Sequence, residues 1–323
     1  MKDKIKKYFK LLRDFGIKIM LYQFICSTIF KNNTKLGKYF DKKKHENVKR
    51  YLLANYEEVL NSYKDIEVNA DNIKDNKIIW ILWWQGINDA PDIVQMAINS
   101  VKENNNEYDV VIIDLNNYND YICIPDNIIT KLNNNEMTIT HFSDILRMAL
   151  LAEHGGVWID ATVLCTKTLD DLNIDNYKFY TIKHGLYHNW HVCKGLWSGF
   201  FIASGKNNPM FCFFRDMFYE YWKNENSLIC YFLIDCIIAI GYENISYIKE
   251  QIDMVPQNNS EVFMLQSILN KKFEISLWKN LIIKCNMHKL NYKMQLDTFC
   301  DGEKITFYGY LMDEYRKRYN INT

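Results

Sequence analysis

Two short apolar runs, separated by a stretch with helical spacing, constrain the fold of this chain most. The runs are residues 77–84 (KIIWILWW) and 110–114 (VVIID), and each has the length and composition of a buried strand. Between them, apolar residues recur with helical spacing over residues 90–101, and Pro91 stands where the first turn of a helix tolerates it. A strand, a helix and a second strand in succession form a βαβ unit. This pattern predicts an α/β fold around a parallel sheet covered by helices.

The composition is that of a globular protein. The 323 residues include 39 basic and 39 acidic side chains, and 48% are hydrophobic, which excludes wholesale disorder. A net charge of zero argues against a dedicated nucleic-acid binder, so we expect no nucleic-acid partner. No charge-free apolar run reaches 18 residues, so the sequence predicts no membrane-spanning helix. Nine cysteines without a C-x-x-C pair, and a start without a cleavable signal, predict a cytoplasmic protein with reduced thiols.

The zero net charge conceals a basic amino-terminal segment. Residues 1–50 contain fifteen Lys or Arg and four Asp or Glu, a surplus of 11 positive charges that the rest of the chain offsets. Within it, residues 17–30 (IKIMLYQFICSTIF) are mostly apolar. Such a helix can lie on an anionic membrane surface, here the inner face of the cell membrane, or it can pack on the body of the protein. We predict a helical segment over residues 1–76 and a main domain over residues 77–323.

Residues 140–170 carry the most chemical information. Ser143 is suited to cap a helix over residues 143–154, and Gly155 with Gly156 is suited to end it, because glycine tolerates the left-handed backbone of a helix end. Residues 157–161 then have the character of a buried strand. If the glycine pair reverses the chain, this strand runs back along the helix.

That reversal brings three charged residues together. Asp160, near the end of the strand, would lie beside Asp144 and Arg147, which share one face of the helix. Ligands of open α/β sheets bind at the carboxyl ends of the strands, where this cluster is expected. The two acids and the arginine are therefore either a ligand site or a structural ion pair.

The motifs in this region resemble a known family. S-D-x-x-R at residues 143–147 and G-G-V-W-I-D-A-T at 155–162 resemble the signature of capsular polysaccharide synthesis proteins, a bacterial group similar to the DxD-motif sugar transferases of glycosyltransferase family 32. The resemblance covers about residues 78–293. Its further motifs are W-W-Q-G at 83–86 with A-P at 90–91, W-S-G-F-F-I-A at 197–203, Y-F-L-I-D at 231–235 and H-K-L-N-Y-K at 288–293.

This resemblance implies a GT-A fold, in which a Rossmann-like nucleotide-binding sheet carries helices on both faces. The nucleotide-sugar-binding half would span residues 77–170 and the acceptor-binding half residues 171–323. Trp84 would stack on the nucleobase, unless it is an ordinary core residue. The implied nucleotide contacts are Trp84, Gln85, Gly86, Asp160 and Lys293, and the implied donor-sugar contacts are Asp144, Arg147, Gly155, Gly156 and Ser198.

The same resemblance implies a divalent cation, Mn²⁺ or Mg²⁺, but one ligand position departs from the DxD pattern. Asp160 matches the first acid, whereas Thr162 stands in place of the second. Thr162 could still ligate through its hydroxyl or through water, and His288 could complete the metal site. His288 could equally be an ordinary loop residue. His184, His188 and His191 fit a flexible loop beside the acceptor better than a zinc site.

The implied reaction is transfer of a sugar from a nucleotide-sugar donor to the repeat unit of a capsular or other surface polysaccharide. A UDP-sugar such as UDP-galactose or UDP-glucose is the expected donor, and an oligosaccharide or lipid-linked saccharide is the expected acceptor. The anomeric configuration would be retained. Asp144, Arg147, Asp160 and Asp235 are the catalytic candidates, although Asp235 could also be a helix-surface acid. Two alternatives stay open, a metal-dependent phosphoester hydrolase and a non-catalytic scaffold of a capsule-assembly complex.

Overall fold

The computed structural model describes residues 2–30, 34–186 and 190–319, and side chains from residue 5 onward. The helices are α1 (Lys2–Phe24), α2 (Lys35–Asn55), α3 (Glu57–Ser62), α4 (Asp92–Asn104), α5 (Tyr118–Tyr121), α6 (Asp126–Asn133), α7 (Ile139–Glu153), α8 (Pro209–Asn224), α9 (Leu233–Asn244), α10 (Ser246–Met254), α11 (Met264–Ile268), α12 (Ile275–Lys284) and α13 (Phe307–Tyr319). The strands are β1 (Ile78–Leu82), β2 (Asp109–Ile113), β3 (Gly156–Ile159), β4 (Val163–Cys165), β5 (Phe179–Thr181), β6 (Phe201–Ser204), β7 (Met287–Lys289), β8 (Phe299–Cys300) and β9 (Lys304–Ile305).

A mixed sheet of five strands forms the centre of the protein, with the order β2-β1-β3-β6-β5. β1 pairs in parallel with β2 and with β3, whereas β6 runs antiparallel to both β3 and β5. The helix between β1 and β2, α4, buries the apolar positions that its spacing predicted, Ile93, Val94, Ala97, Ile98 and Val101. The predicted α/β class, with a parallel βαβ unit and a helical amino terminus, is confirmed.

The helix that precedes β3 begins earlier than its sequence pattern predicted. α7 starts at Ile139, and the Thr138 hydroxyl accepts a hydrogen bond from the backbone N–H of His141 at 3.3 Å. Ser143 is therefore an internal residue and not the N-cap, because the apolar face extends one turn further back. The predicted carboxyl end is nearly right, since α7 ends at Glu153 and Gly155 follows with φ +67°.

A close approach of two strands explains the second glycine. Gly156 has φ +92°, and a Cβ at this position would lie 2.7 Å from the carbonyl oxygen of Ile78 in β1. A larger residue would separate the strands at this point. The glycine pair therefore both ends α7 and lets β3 enter the sheet beside β1, so that β3 returns along the helix.

The helical amino-terminal segment, residues 1–76, packs on the main domain. α2 contacts α9, and the hydroxyls of Tyr51 and Tyr56 donate hydrogen bonds to Glu225 Oε1 at 2.5 and 2.9 Å. Phe15 of α1 is buried and meets Tyr51 edge-on, with ring centroids 5.3 Å apart. The predicted division at residues 76 and 77 therefore separates two parts that share a packed interface. Among the described residues, none of the helices has the length and apolar character needed to cross a membrane.

Candidate active site

A cleft of about 860 Å³ opens at the carboxyl ends of β1 and β3. Its walls come from the residues after these strands, the first turns of α7, the start of α9 and the segment around β7. The lining includes Trp83, Trp84, Gln85, Ser143, Asp144, Arg147, Trp158, Asp160, Thr162, Gly199, Phe200, Tyr231, Asp235, Lys289, Tyr292 and Lys293. Its size and its position at the strand ends suit a small-molecule ligand.

Arg147 is at the centre of the charged cluster. Its guanidinium is buried and lies over the Trp158 ring, 4.9 Å from the centroid. Nη1 lies 3.4 Å from Asp144 Oδ1, and Nη2 lies 3.2 Å from Asp160 Oδ1. The Trp158 indole N–H donates to the same Asp160 oxygen at 2.9 Å. The structure thus brings together the three residues whose convergence was inferred from the helix–glycine–strand pattern.

Lys289 joins this cluster, and the sequence interpretation did not single it out. Its ammonium lies 3.2 Å from Asp160 Oδ2 and donates a hydrogen bond to the Thr162 hydroxyl. Burial alone would raise the pKa of Asp160, but the charges of Lys289 and Arg147 and the hydrogen bonds it accepts hold that pKa below its usual value. Asp160 is therefore an anion compensated on both of its oxygens.

The strand that carries Lys289 also explains why the neighbouring histidine is elsewhere. β7 pairs antiparallel with β4, and successive side chains of a strand point to opposite faces. His288 is fully buried, its ring 6.2 Å from that of Trp278, and burial lowers its pKa to about 4. The cleft lining does not include it. The expected metal ligand His288 thus faces the core, while Lys289 faces Asp160 and Thr162.

The described residues do not fit the expected Mn²⁺ or Mg²⁺. They contain no group of three His, Cys, Asp or Glu that could hold a metal ion. Asp160 and Thr162 are the two expected ligands that line the cleft, and both already contact the Lys289 ammonium. A divalent cation prefers several oxygen ligands and would be repelled by an ammonium group at this position.

Three further candidates for the donor sugar lie away from the cleft. Gly155 and Gly156 precede and begin β3, at the opposite end of the strand from Asp160, and serve the turn described above. Ser198 is buried, and its hydroxyl donates to the carbonyl oxygen of Ile182 at 2.7 Å. These contacts make all three structural, so the prediction that they touch the donor sugar is not supported by their positions.

Aromatic side chains form the wall beside β1. Trp84 is half-buried against Tyr118 and Phe142, with ring centroids 5.5 and 5.3 Å away. Trp83 meets Tyr292 edge-on at 5.3 Å, and its buried indole N–H has no hydrogen-bond partner among the described residues. Either indole can offer a face or an edge to a ligand in the cleft.

The remaining nucleotide candidates divide between the cleft and a turn. Gln85 and Lys293 both line the cleft and are exposed to solvent. Gly86 does not line it. With φ +85°, Gly86 forms a turn in which its N–H donates to the carbonyl oxygen of Trp83 at 2.9 Å. Gly86 therefore shapes the loop that carries the two tryptophans.

Asp235 is buried in the cleft wall, in contrast to the alternative of a helix-surface acid. The indole N–H of Trp197 donates to Asp235 Oδ1 at 2.8 Å, and burial raises the pKa of this carboxyl to about 7. Tyr231, also in the lining, is 65% exposed and lies just before the start of α9. Two carboxyls of the cleft thus differ in opposite directions, since the pKa of Asp160 lies below its usual value and that of Asp235 lies near neutral pH.

The histidines of the 184–191 loop do not assemble into a metal site among the described residues. His184 is buried, and its Nδ1 accepts from the Leu186 N–H at 3.1 Å. The His191 ring packs on Phe232 with centroids 4.6 Å apart. His188 lies outside the described residues.

A comparison with family models decides where the chain belongs. The model of the family described as capsular polysaccharide synthesis protein matches residues 28–311. The chain belongs to this family. The match extends beyond the motifs noted in the sequence and includes every residue of the cleft lining, so the charged cluster lies within the capsular polysaccharide synthesis domain.

Solved structures and curated proteins add little to the family assignment. The capsular polysaccharide synthesis chain is similar to a solved chain described as "PaToxG Glycosyltransferase", with 15% sequence identity and a TM-score of 0.38, over 67% of this chain and 84% of that chain. No curated protein matches the sequence.

Proposed function

We propose that this member of the capsular polysaccharide synthesis family is a glycosyltransferase with a GT-A fold that uses a nucleotide-sugar donor. The observation that carries the proposal is the convergence of Asp144, Arg147 and Asp160 at the carboxyl ends of the sheet strands, in a cleft large enough for a nucleotide sugar. The family assignment supplies the biological setting, which is synthesis of a surface polysaccharide.

The two sides of the cleft suit the two ends of such a donor. The aromatic wall with Trp84 offers a stacking surface for the nucleobase, and Gln85 and Lys293 also line the cleft. Asp144 and Asp160 can accept hydrogen bonds from hydroxyls of the donor sugar and the ribose. Arg147 lies between them. We assign its guanidinium to the sugar–diphosphate linkage, because guanidinium groups bind phosphate oxygens well.

The proposed reaction retains the anomeric configuration. In it, the diphosphate leaves from the same face of the sugar that the acceptor hydroxyl attacks. Arg147 and Lys293 would stabilise the charge that develops on the leaving group, and such electrostatic stabilisation is a large part of catalysis in preorganised sites. Asp235 and Tyr231 line the cleft on the side of α9, and we assign them to orienting the acceptor hydroxyl.

The test is a screen of UDP-, GDP-, ADP- and dTDP-sugars with purified protein, measuring free nucleotide with and without saccharide acceptors. We expect slow hydrolysis of one donor class that an acceptor accelerates, and we favour UDP-sugars. Arg147→Ala should abolish the signal while Arg318→Ala, a change of an exposed arginine on α13, retains it. Release of phosphate from simple phosphoesters would indicate the hydrolase alternative. A protein that binds no nucleotide would support the scaffold alternative.

The acceptor we propose is a lipid-linked saccharide at the inner face of the cell membrane. α1 is kinked at Gly16, whose φ of +78° and ψ of 173° are not helical, and its two parts bury Leu11, Phe15 and Ile19. The side chains that both parts expose are apolar as well as basic. We call the exposed apolar side chains of α1 and of the turn after it the exposed apolar face. Its members are Ile5, Phe9, Leu12, Ile17, Leu21, Phe24 and Ile29, and exposed lysines such as Lys6, Lys7 and Lys18 lie among them.

An anionic lipid surface fits both properties of this face. Apolar side chains insert at the boundary between headgroups and acyl chains, and the surplus of 11 positive charges in residues 1–50 is attracted to anionic headgroups. Because α1 packs on α2, and α2 in turn contacts α9 of the main domain, binding through the exposed apolar face would hold the main domain close to the membrane, where a lipid-linked acceptor resides.

A further inference from the structure

The residues around Asp160 contain a positive charge at the place where a sugar transferase with two acids would hold a metal ion. The Lys289 ammonium lies 3.2 Å from Asp160 Oδ2 and donates to the Thr162 hydroxyl, so it bridges the two positions of the D-A-T sequence. It also lies 5.7 Å from the centre of the Phe200 ring. An ammonium group is a compact charge with three N–H donors. Asp160 and Thr162 provide acceptors for two of them, which leaves one donor for a ligand.

The backbone fixes Lys289 in this position from both sides. Its N–H donates to the carbonyl oxygen of Val262 at 2.8 Å, and the N–H of Leu290 donates to the carbonyl oxygen of Thr162 at 2.8 Å. β7 thus joins directly to the chain that follows Asp160. The strand pairing fixes the backbone of Lys289, and Asp160 and Thr162 hold its ammonium, so the lysine is a built part of the site.

The threonine in place of the second acid suits this arrangement. A carboxylate at position 162 would give a divalent cation a second charged ligand, whereas a hydroxyl accepts a hydrogen bond from Lys289 without adding negative charge. The other carboxylate oxygen of Asp160 contacts the Arg147 guanidinium and accepts a hydrogen bond from the Trp158 indole N–H. The cluster is thereby neutralised by protein cations before any ligand enters.

We propose that Lys289 takes the place of the divalent cation, contacting the donor diphosphate so that donor binding and sugar transfer do not require Mn²⁺ or Mg²⁺. This inference rests on the proposed function. In the transfer, the bond from the anomeric carbon to the diphosphate oxygen breaks with its electron pair on that oxygen, and the acceptor oxygen bonds to the carbon. The acceptor hydroxyl proton passes to the released diphosphate. Lys289 and Arg147 keep their protons and stabilise the charge on the leaving oxygen.

The experiment is calorimetric titration of the full chain with UDP, GDP, ADP and dTDP, each in EDTA and in Mn²⁺. For the nucleotide that binds, we expect the same dissociation constant in both buffers. Lys289→Met should weaken that nucleoside diphosphate at least tenfold in EDTA, while affinity for the corresponding nucleoside, which has no phosphate, stays unchanged. Lys279→Met, at an exposed position of α12, is the matched control and should bind both ligands as the wild type does.

A second variant tests the exchange of lysine for metal directly. Lys289→Asp places a second carboxylate beside Asp160, so diphosphate binding should become dependent on Mn²⁺. Binding by the wild type only in Mn²⁺ would overturn the role of Lys289 and leave the proposed function standing, and this result does not depend on whether any variant folds. Equal diphosphate affinity of the wild type and a folded Lys289→Met variant in EDTA would also overturn it. Failure of every nucleotide to bind in either buffer would instead refute the proposed function.

Discussion

Gly199 leaves room for Arg147: a Cβ at position 199 would lie 2.8 Å from Arg147 Nη1. The backbone of Gly199 does not have the left-handed φ that requires glycine, so the restriction is one of space alone. A methyl group here would displace the guanidinium from Asp144 and Asp160. The glycine of the W-S-G-F motif therefore acts on the charged cluster from a different part of the chain.

The first prediction follows from this contact. Gly199→Ala should lower donor turnover at least tenfold, which corresponds to about 1.4 kcal/mol of transition-state stabilisation, with a small change in melting temperature. In calorimetric titration with the nucleotide, the double variant Gly199→Ala with Arg147→Ala should bind no more weakly than Arg147→Ala alone, because the two changes act through one group. Additive losses in this cycle would show that Gly199 acts on something other than Arg147.

The second prediction concerns Asp160. Asp160→Asn keeps the volume of the side chain but removes the charge that faces Arg147 and Lys289. We expect donor turnover to fall more than tenfold, a loss above about 1.4 kcal/mol, measured as kcat/KM on protein whose circular dichroism is unchanged. Asp171→Asn removes an exposed carboxylate outside the cleft and serves as control. Retention of more than a tenth of wild-type activity would rule out the assigned role.

The third prediction separates the two indoles of the aromatic wall. If Trp84 stacks on the nucleobase, Trp84→Ala should weaken nucleotide binding by about 1–3 kcal/mol in calorimetry. Trp83→Ala, at the neighbouring position against Tyr292, should have the smaller effect. The reverse order would assign the stacking surface to Trp83, and unchanged affinity in both folded variants would place the base elsewhere in the cleft.

The fourth prediction is a dependence of stability on pH through Asp235. Its pKa is about 7 in the folded protein, because of burial, and about 3.9 in an unfolded chain. Between these values the native state binds more protons than the unfolded state, so the contribution of Asp235 to stability falls as the pH rises from about 4 to about 7. Asp235→Asn cannot ionise and still accepts from Trp197.

Urea unfolding of both proteins at several pH values measures this contribution. The free energy of unfolding of the wild type, relative to that of Asp235→Asn, should decline across the window by at most about 1.4 kcal/mol per pH unit. The comparison removes the effect of other titrating groups, such as His288. A constant difference between the two proteins over this range would contradict the raised pKa.

The fifth prediction concerns the exposed apolar face. Vesicles containing anionic lipid should sediment the wild-type protein, and salt should weaken the binding, since each basic residue near such a surface contributes about 1 kcal/mol that is screened over about 8 Å at physiological ionic strength. Phe9→Ser combined with Ile17→Ser should reduce the binding that survives high salt. Ile283→Ser, which removes a 72% exposed apolar side chain on α12, is the control. Equal loss in both variants, or no sedimentation of the wild type, would exclude this face as the membrane contact.

The parts of the site that are close in sequence could be predicted. Asp144, Arg147 and Asp160 lie within one helix, one glycine turn and one strand, so helical and strand geometry suffice to bring them together. The apolar runs of β1 and β2 were equally clear, because both sequences are continuously apolar, although β1 lies inside the sheet and β2 is partly buried at its edge. The start of α7 was placed too late because both Thr138 and Ser143 are suitable caps, and only packing selects between them.

The parts that come from distant segments could not be predicted. The sequence leaves Asp235 as either a catalytic candidate or a helix-surface acid, because the burial of α9 nearly all round is not visible in any local pattern. In the H-K-L-N-Y-K motif, the resemblance points to His288 and Lys293 and not to Lys289. Whether His288 or Lys289 faces Asp160 depends on the pairing of β7 with β4, which joins residues more than a hundred positions apart.

The alternation along β7 also protects the pairing of this strand against error. A slip of β7 by one residue along β4 would turn the Lys289 ammonium into the apolar interior and bring the neutral imidazole of His288 out beside Asp160. Burying an unpaired ammonium is very unfavourable, and Asp160 would lose one of its two compensating charges. The slipped alignment would thus be less stable than the native one because of unfavourable contacts on both faces of the strand. The alternation that directs Lys289 into the cleft and His288 into the core therefore also helps to specify which of the competing strand alignments is the native one.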